Sequence, residues 1–81
     1  MMSVWNKATV NKIDQRYLKY IPKKLLPFVV WLDRQDNSCD GSHVYFLTFE
    51  KDGVEYSAEP SDTVAELTWN AKQVGKEMGI L

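Results

Sequence analysis

Between Thr9 and Ile21 the apolar residues Val10, Ile13, Tyr17 and Ile21 recur at spacings of three and four. That period predicts one helix over about 9–21, closed by Pro22, with the apolar stripe turned inward. Lys12, Arg16 and Lys19 then fall in line on its opposite face. From Leu25 to Leu32 the chain is apolar, and Pro27 confines it to a strand start or edge, which predicts a strand over about 28–33. Two more strands are expected at about 43–51 and 54–59, joined through Asp52-Gly53, a pair suited to the two positive φ values of a type I′ turn. Pro60 to Thr63 opens a final helix over about 62–78. Thr63 to Glu66 fits a capping box, and Val64, Leu67, Ala71, Val74 and Met78 form its buried stripe. Gly79 is the expected stop. Trp69 falls off that stripe.

A two-residue loop fixes the pairing of the last two strands. Lys51 faces Val54, Glu50 faces Glu55, Phe49 faces Tyr56, Thr48 faces Ser57, Leu47 faces Ala58 and Phe46 faces Glu59. One face of this hairpin is then Tyr45, Leu47, Phe49, Val54, Tyr56 and Ala58, a core face. The other is Val44, Phe46, Thr48, Glu50, Glu55, Ser57 and Glu59, mixed and acidic. In the first strand, Phe28, Val30 and Leu32 are expected inward and Val29, Trp31 and Asp33 outward. The simplest arrangement is an α+β single two-layer domain over 1–81, ordered helix, strand, strand, strand, helix. Its sheet is a three-stranded antiparallel meander with both helices on one face.

Charge changes this picture by giving the layers opposite signs. In the first 24 residues six cations stand against one acid, a net +5; residues 25 to 60 hold two cations against seven acids, a net −5. The overall charge of −1 conceals that split. With 81 residues, 44% of them hydrophobic, the chain has material for one small core. A lone cysteine, Cys39, gives no internal disulfide, and no run approaches the length of a membrane span, so a cytoplasmic setting is expected.

Candidate chemistry is sparse. Asp36 to Gly41 echoes the first half of a calcium loop, but the position that should hold a bidentate glutamate is Leu47, which favours a plain polar turn. Cys39 and His43 lie four apart without a third orienting group. No phosphate loop, zinc spacing or cofactor motif occurs, so neither catalysis nor a bound metal or cofactor is expected.

The order of elements resembles that of the double-stranded RNA-binding domain, and Gly41-Ser42-His43 stands where that family has a glycine and histidine before its second strand. The likeness spans about residues 9–78 and concerns topology. It implies RNA contacts from the first helix, from this loop and from a lysine cluster opening the last helix. Lys12, Arg16, Lys19 and His43 fit the first two; the last helix opens instead with Asp62 and Glu66, the wrong sign for phosphate.

Two functional expectations arise. The first is a non-enzymatic interaction module that meets a basic protein surface through Trp31, Asp33, Phe46, Glu50, Glu55 and Glu59, with the aromatics as anchors and the acids as rim. Small phage-encoded inhibitors share this size and charge. The second, ranked below it, is nucleic-acid binding through Lys12, Arg16, Lys19, Lys23, Lys24 and His43. Head-to-tail self-association between the oppositely charged surfaces is a third.

Overall fold

The computed structural model describes residues 12–37 and 39–81. Asp52 and Gly53 take φ values of 55° and 79°, the type I′ geometry whose twist matches that of the flanking strands. The turn joins β2 (His43–Lys51) to β3 (Val54–Ser57), and β2 also pairs antiparallel with β1 (Val29–Asp36). The sheet order β1-β2-β3 is the expected meander, and Lys51↔Val54, Glu50↔Glu55, Phe49↔Tyr56 and Thr48↔Ser57 pair as the loop length dictates. With the helices packed on the sheet, this is the α+β domain that the hydrophobic pattern predicts.

The helix α1 (Val64–Glu77) is capped at both ends by local chemistry. The Thr63 hydroxyl accepts from the Glu66 amide at 3.1 Å, while the Glu66 carboxylate reaches back to the Asp62 amide at 2.7 Å. The first bond satisfies a donor that the first turn leaves free, and the second ties the residue before the cap to the helix. At the other end Gly79, with φ of 78°, lets its amide reach the Lys76 carbonyl at 3.1 Å and the Ile80 amide reach Gly75 at 3.0 Å, a Schellman stop. Leu67, Ala71, Val74 and Met78 are buried as the stripe requires, with Val64 packed beside them, whereas Trp69 is 61% exposed.

The chain before the sheet departs from the predicted helix over about 9–21. Val10 and the start of that segment lie outside the described residues; from Lys12 onward the backbone is first extended. The Leu32 amide donates to the Lys12 carbonyl at 2.8 Å and the Asp14 amide to the Leu32 carbonyl at 2.7 Å, which makes Ile13 a parallel bridge partner of Leu32. Backbone groups committed to β1 cannot also serve a helix. The chain then winds into a 3-10 helix, Gln15–Tyr20, and after Pro22 into a second one, Lys23–Phe28, which carries Pro27 in its last turn. Phe28 therefore ends a helical turn and does not start a strand.

Ile21, Leu25, Val29, Leu32, Tyr45, Leu47, Phe49, Leu67, Ala71, Val74 and Met78 form the core between sheet and helices. Each full burial of a leucine or phenylalanine is worth about 1.5–3 kcal/mol. Polar bonds fix how α1 sits on this core. The Thr68 hydroxyl donates to the Tyr20 carbonyl at 2.7 Å, at the end of the first 3-10 helix. The Asn70 amide group donates to the Ser61 hydroxyl at 2.8 Å and to the Glu59 carbonyl at 3.2 Å. Ser61 is fully buried. Among the described residues no helix is long and apolar enough to cross a membrane.

Because Asn70 meets partners beyond the end of β3, Asn70→Ala should lower the unfolding free energy by about 1–2 kcal/mol. The readout is a lower urea midpoint with unchanged slope. An unchanged midpoint would show that these bonds add nothing net.

Candidate functional site on the outer sheet face

Strand alternation sends Tyr45, Leu47 and Phe49 into the core, so Val44, Phe46, Thr48 and Glu50 occupy the face away from the helices. On β1 the register slips: Val29 pairs with Phe49 but Trp31 with Thr48, leaving Val30 as an extra residue. This bulge overturns the simple alternation expected for the first strand. Val29 is inward, and Val30 and Trp31 together stand opposite Thr48. The two line a depression of about 120 Å³ with Thr48, Glu55 and Ser57. The Thr48 and Ser57 hydroxyls lie 3.3 Å apart across its floor. The Trp31 indole N–H is buried and has no acceptor among the described residues. An unmet buried donor of this kind costs about 1–3 kcal/mol.

The acidic residues divide into two groups. Glu50 and Glu55 face one another across β2 and β3, and both are exposed. Like charges directly opposite destabilise a sheet, by about 0.2–1 kcal/mol on the scale of cross-strand pairs. Asp33, directly opposite Phe46, does not join this exposed rim; it is only 7% exposed. Its carboxylate takes the Lys12 ammonium at 3.4 Å and a long contact from the Gln35 amide group at 3.5 Å. A carboxylate this deep needs such partners, and the drawing of residues 12–14 against β1 supplies Lys12.

Glu59 is exposed but lies past the end of β3. The Ala58 amide still reaches the Leu47 carbonyl at 2.9 Å, yet Tyr45 then pairs with Ser61, so both Glu59 and Pro60 fit opposite Phe46. The expected one-to-one pairing of Phe46 with Glu59 is replaced by this second irregularity. Phe46 and Trp31 are each partly buried. Trp31, Phe46, Glu50 and Glu55 are thus placed on one face, with the buried Asp33 beside Phe46 and Glu59 at the margin.

The cations do not form the straight helical line that the 9–21 spacing predicts. Lys12 belongs to the extended bridge and is paired with Asp33, while Arg16 makes a bidentate contact with Asp14 at 3.0 and 2.7 Å. That guanidinium holds the Asp14 carboxyl below the usual carboxylate range. Arg16 also lies over the Tyr17 ring, and Lys19 over Tyr20. Lys23 and Lys24 open the second 3-10 helix and are exposed. His43 packs edge-on against Tyr45, which meets Tyr17 in the same way, and Arg34 reaches the Tyr17 hydroxyl at 3.3 Å. Burial pushes the Tyr45 phenol up.

In the loop after β1, side-chain oxygens serve the backbone. Asn37 accepts from the Cys39 amide at 2.9 Å, and Asp40 accepts from both the amide and the hydroxyl of Ser42. Among the described residues no three His, Cys, Asp or Glu side chains gather closely enough to hold a metal ion. Cys39 is exposed.

Sequence reasoning did not single out Val30, Thr48 and Ser57 as pocket walls. A bulge inside Val29-Val30-Trp31 leaves no mark in a run that is apolar throughout. The Lys12–Asp33 contact was equally hidden, since it joins residues far apart in sequence.

Because the folded state lowers the Asp14 pKa, its contribution is present above the ordinary carboxylate pKa of about 3.9 and is lost as pH falls through the lowered value. Asp14→Asn should therefore remove part of the acid-side fall in stability while leaving the pH dependence above neutrality unchanged. Carboxyl chemical shifts followed through an acid titration check it directly; an unshifted Asp14 midpoint would contradict the pairing.

Comparison with family models, with curated proteins and with solved structures finds no match to this chain.

Proposed function

We propose that this protein is a non-enzymatic interaction module that engages a basic protein surface with the sheet face opposite its helices. The observation that supports the reading is the exposed Glu50–Glu55 pair beside the Val30–Trp31 depression. An interface of this kind places aromatic anchors within a charged rim. Trp31 and Phe46 are the anchors, Glu50 and Glu55 steer a cationic partner, and Glu59 extends the rim. Asp33, tied to Lys12 and only 7% exposed, takes no part in that rim. A cationic groove that handles nucleic acid is one surface such a face fits, and occupying it would inhibit that partner.

The basic end supports nucleic-acid binding less well. Phosphate affinity depends on cations able to replace counterions, and here Lys12 and Arg16 already hold Asp33 and Asp14. Lys19, Lys23 and Lys24 remain exposed, which leaves a smaller charge than the sequence count suggests.

The test is affinity capture from nuclease-treated lysate with the wild type and with the Glu50→Lys, Glu55→Lys double variant. The double variant should fold, since it only exchanges one like-charged pair for another, and should lose the captured partner. Undiminished capture would remove the acidic face from consideration. Glu55→Lys alone should raise stability by about 0.2–1 kcal/mol through attraction to Glu50 while weakening capture. Salt-sensitive binding of mixed-sequence RNA or DNA that vanishes on replacing Lys19, Lys23 and Lys24 by Glu would instead favour the nucleic-acid reading.

A further inference from the structure

Among the described residues, one edge of the sheet is engaged and the other is not. At Leu32 on β1 both backbone groups bond to the segment Lys12–Asp14. β3 lies at the other end of the sheet. In an antiparallel ladder the bonds alternate with non-bonded pairs. A hairpin closed by Lys51–Val54 exchanges bonds at Phe49–Tyr56 and again at Leu47–Ala58, where the Ala58 amide meets the Leu47 carbonyl. Glu55 and Ser57 therefore turn their N–H and C=O groups away from β2, and none of these four groups has a partner among the described residues. Such a row is a template for another strand.

We propose that the free edge of β3 receives an extended segment of a basic partner as an added strand, one in which lysine or arginine alternates with apolar residues. The inference rests on the reading of the acidic face and specifies how that face is used. Side chains of an added strand would alternate in step with those of β3. On the outer face their neighbours would be Glu55 and Ser57, with Glu50 one strand further, so cations fit there. On the helix side the neighbours would be Val54, which is 50% exposed, and the half-buried Tyr56, so apolar side chains fit there. A second copy of β3 is a poorer occupant, because it would bring another Glu55 to an edge that already carries the Glu50–Glu55 repulsion. The depression beside Trp31 includes Glu55 and Ser57 in its wall, which places it next to the incoming cations.

The experiment uses the full chain and an acetylated, amidated peptide of alternating lysine and valine, followed by amide hydrogen exchange and titration. Two further peptides carry N-methyl groups on one or the other alternate set of backbone amides, and a fourth has the same composition in scrambled order. The parent peptide should slow exchange at the Glu55 and Ser57 amides and leave Tyr56, already in the ladder, unchanged. One N-methylated peptide and the scrambled one should bind about tenfold more weakly or worse, the loss expected for edge hydrogen bonds and matched side-chain register. Glu55→Pro should also abolish binding while the hairpin survives, because that amide takes no part in the β2–β3 ladder.

Equal binding of all four peptides would overturn strand addition and leave the acidic-face reading standing. No binding of the parent peptide would overturn it as well. Protection at Glu55 and Ser57, together with undiminished partner capture by the double-lysine variant, would preserve the edge and sink the acidic-face reading.

Discussion

The parity imposed by the Asp52-Gly53 turn governs the rest of the sheet, because a slip of one residue would exchange the two faces of the hairpin. With both turn residues at positive φ, Lys51 must meet Val54, and every later pair follows. That single register sends Tyr45, Leu47 and Phe49 toward the helices and leaves Phe46, Thr48 and Glu50 on the opposite face. The core and the candidate interface are two consequences of one turn. Neither could be moved without displacing the other.

Departures from that regular ladder give the outer face its relief. The bulge at Val30 brings Trp31 and Val30 to the same side, and the shift between Ala58 and Ser61 ends β3 early. Strands with local irregularities bend and twist more strongly than flat ones. Here the first irregularity opens a depression beside Glu55, and the second hands the chain to α1 through Ser61 and Asn70. A sheet without them would present a flatter surface with no pocket and a longer free edge.

Electrostatics across the molecule is less polarised than the charge counts imply. Two of the early cations are spent on carboxylates, Lys12 on the nearly buried Asp33 and Arg16 on Asp14. The segment that carries Lys12 is drawn against β1 by backbone bonds to Leu32, so a basic residue from the first segment reaches the acidic face. Glu50 and Glu55 have no such compensation among the described residues. The unrelieved charge therefore sits on β2 and β3 near the free edge, not evenly over the sheet.

Much of the architecture is local and so was legible in the amino-acid order. Asp-Gly between alternating segments encodes a two-residue hairpin, Thr63 with Glu66 encodes a helix start, Gly79 encodes its stop, and the Leu67–Ala71–Val74–Met78 stripe encodes the buried side. The outward placement of Trp31 and Phe46 also follows from strand alternation, although the bulge reaches it on β1 by a different path. Tertiary structure alone decided the rest. Bonding of Lys12 and Asp14 to Leu32 made the chain there extended and left only 3-10 turns where a periodic pattern predicts an α-helix; packing then buried Asp33 and exposed β3 as the free edge. These outcomes depend on contacts between residues distant in the chain, and a one-dimensional period records only which side of an element is apolar, not which neighbour will claim its backbone.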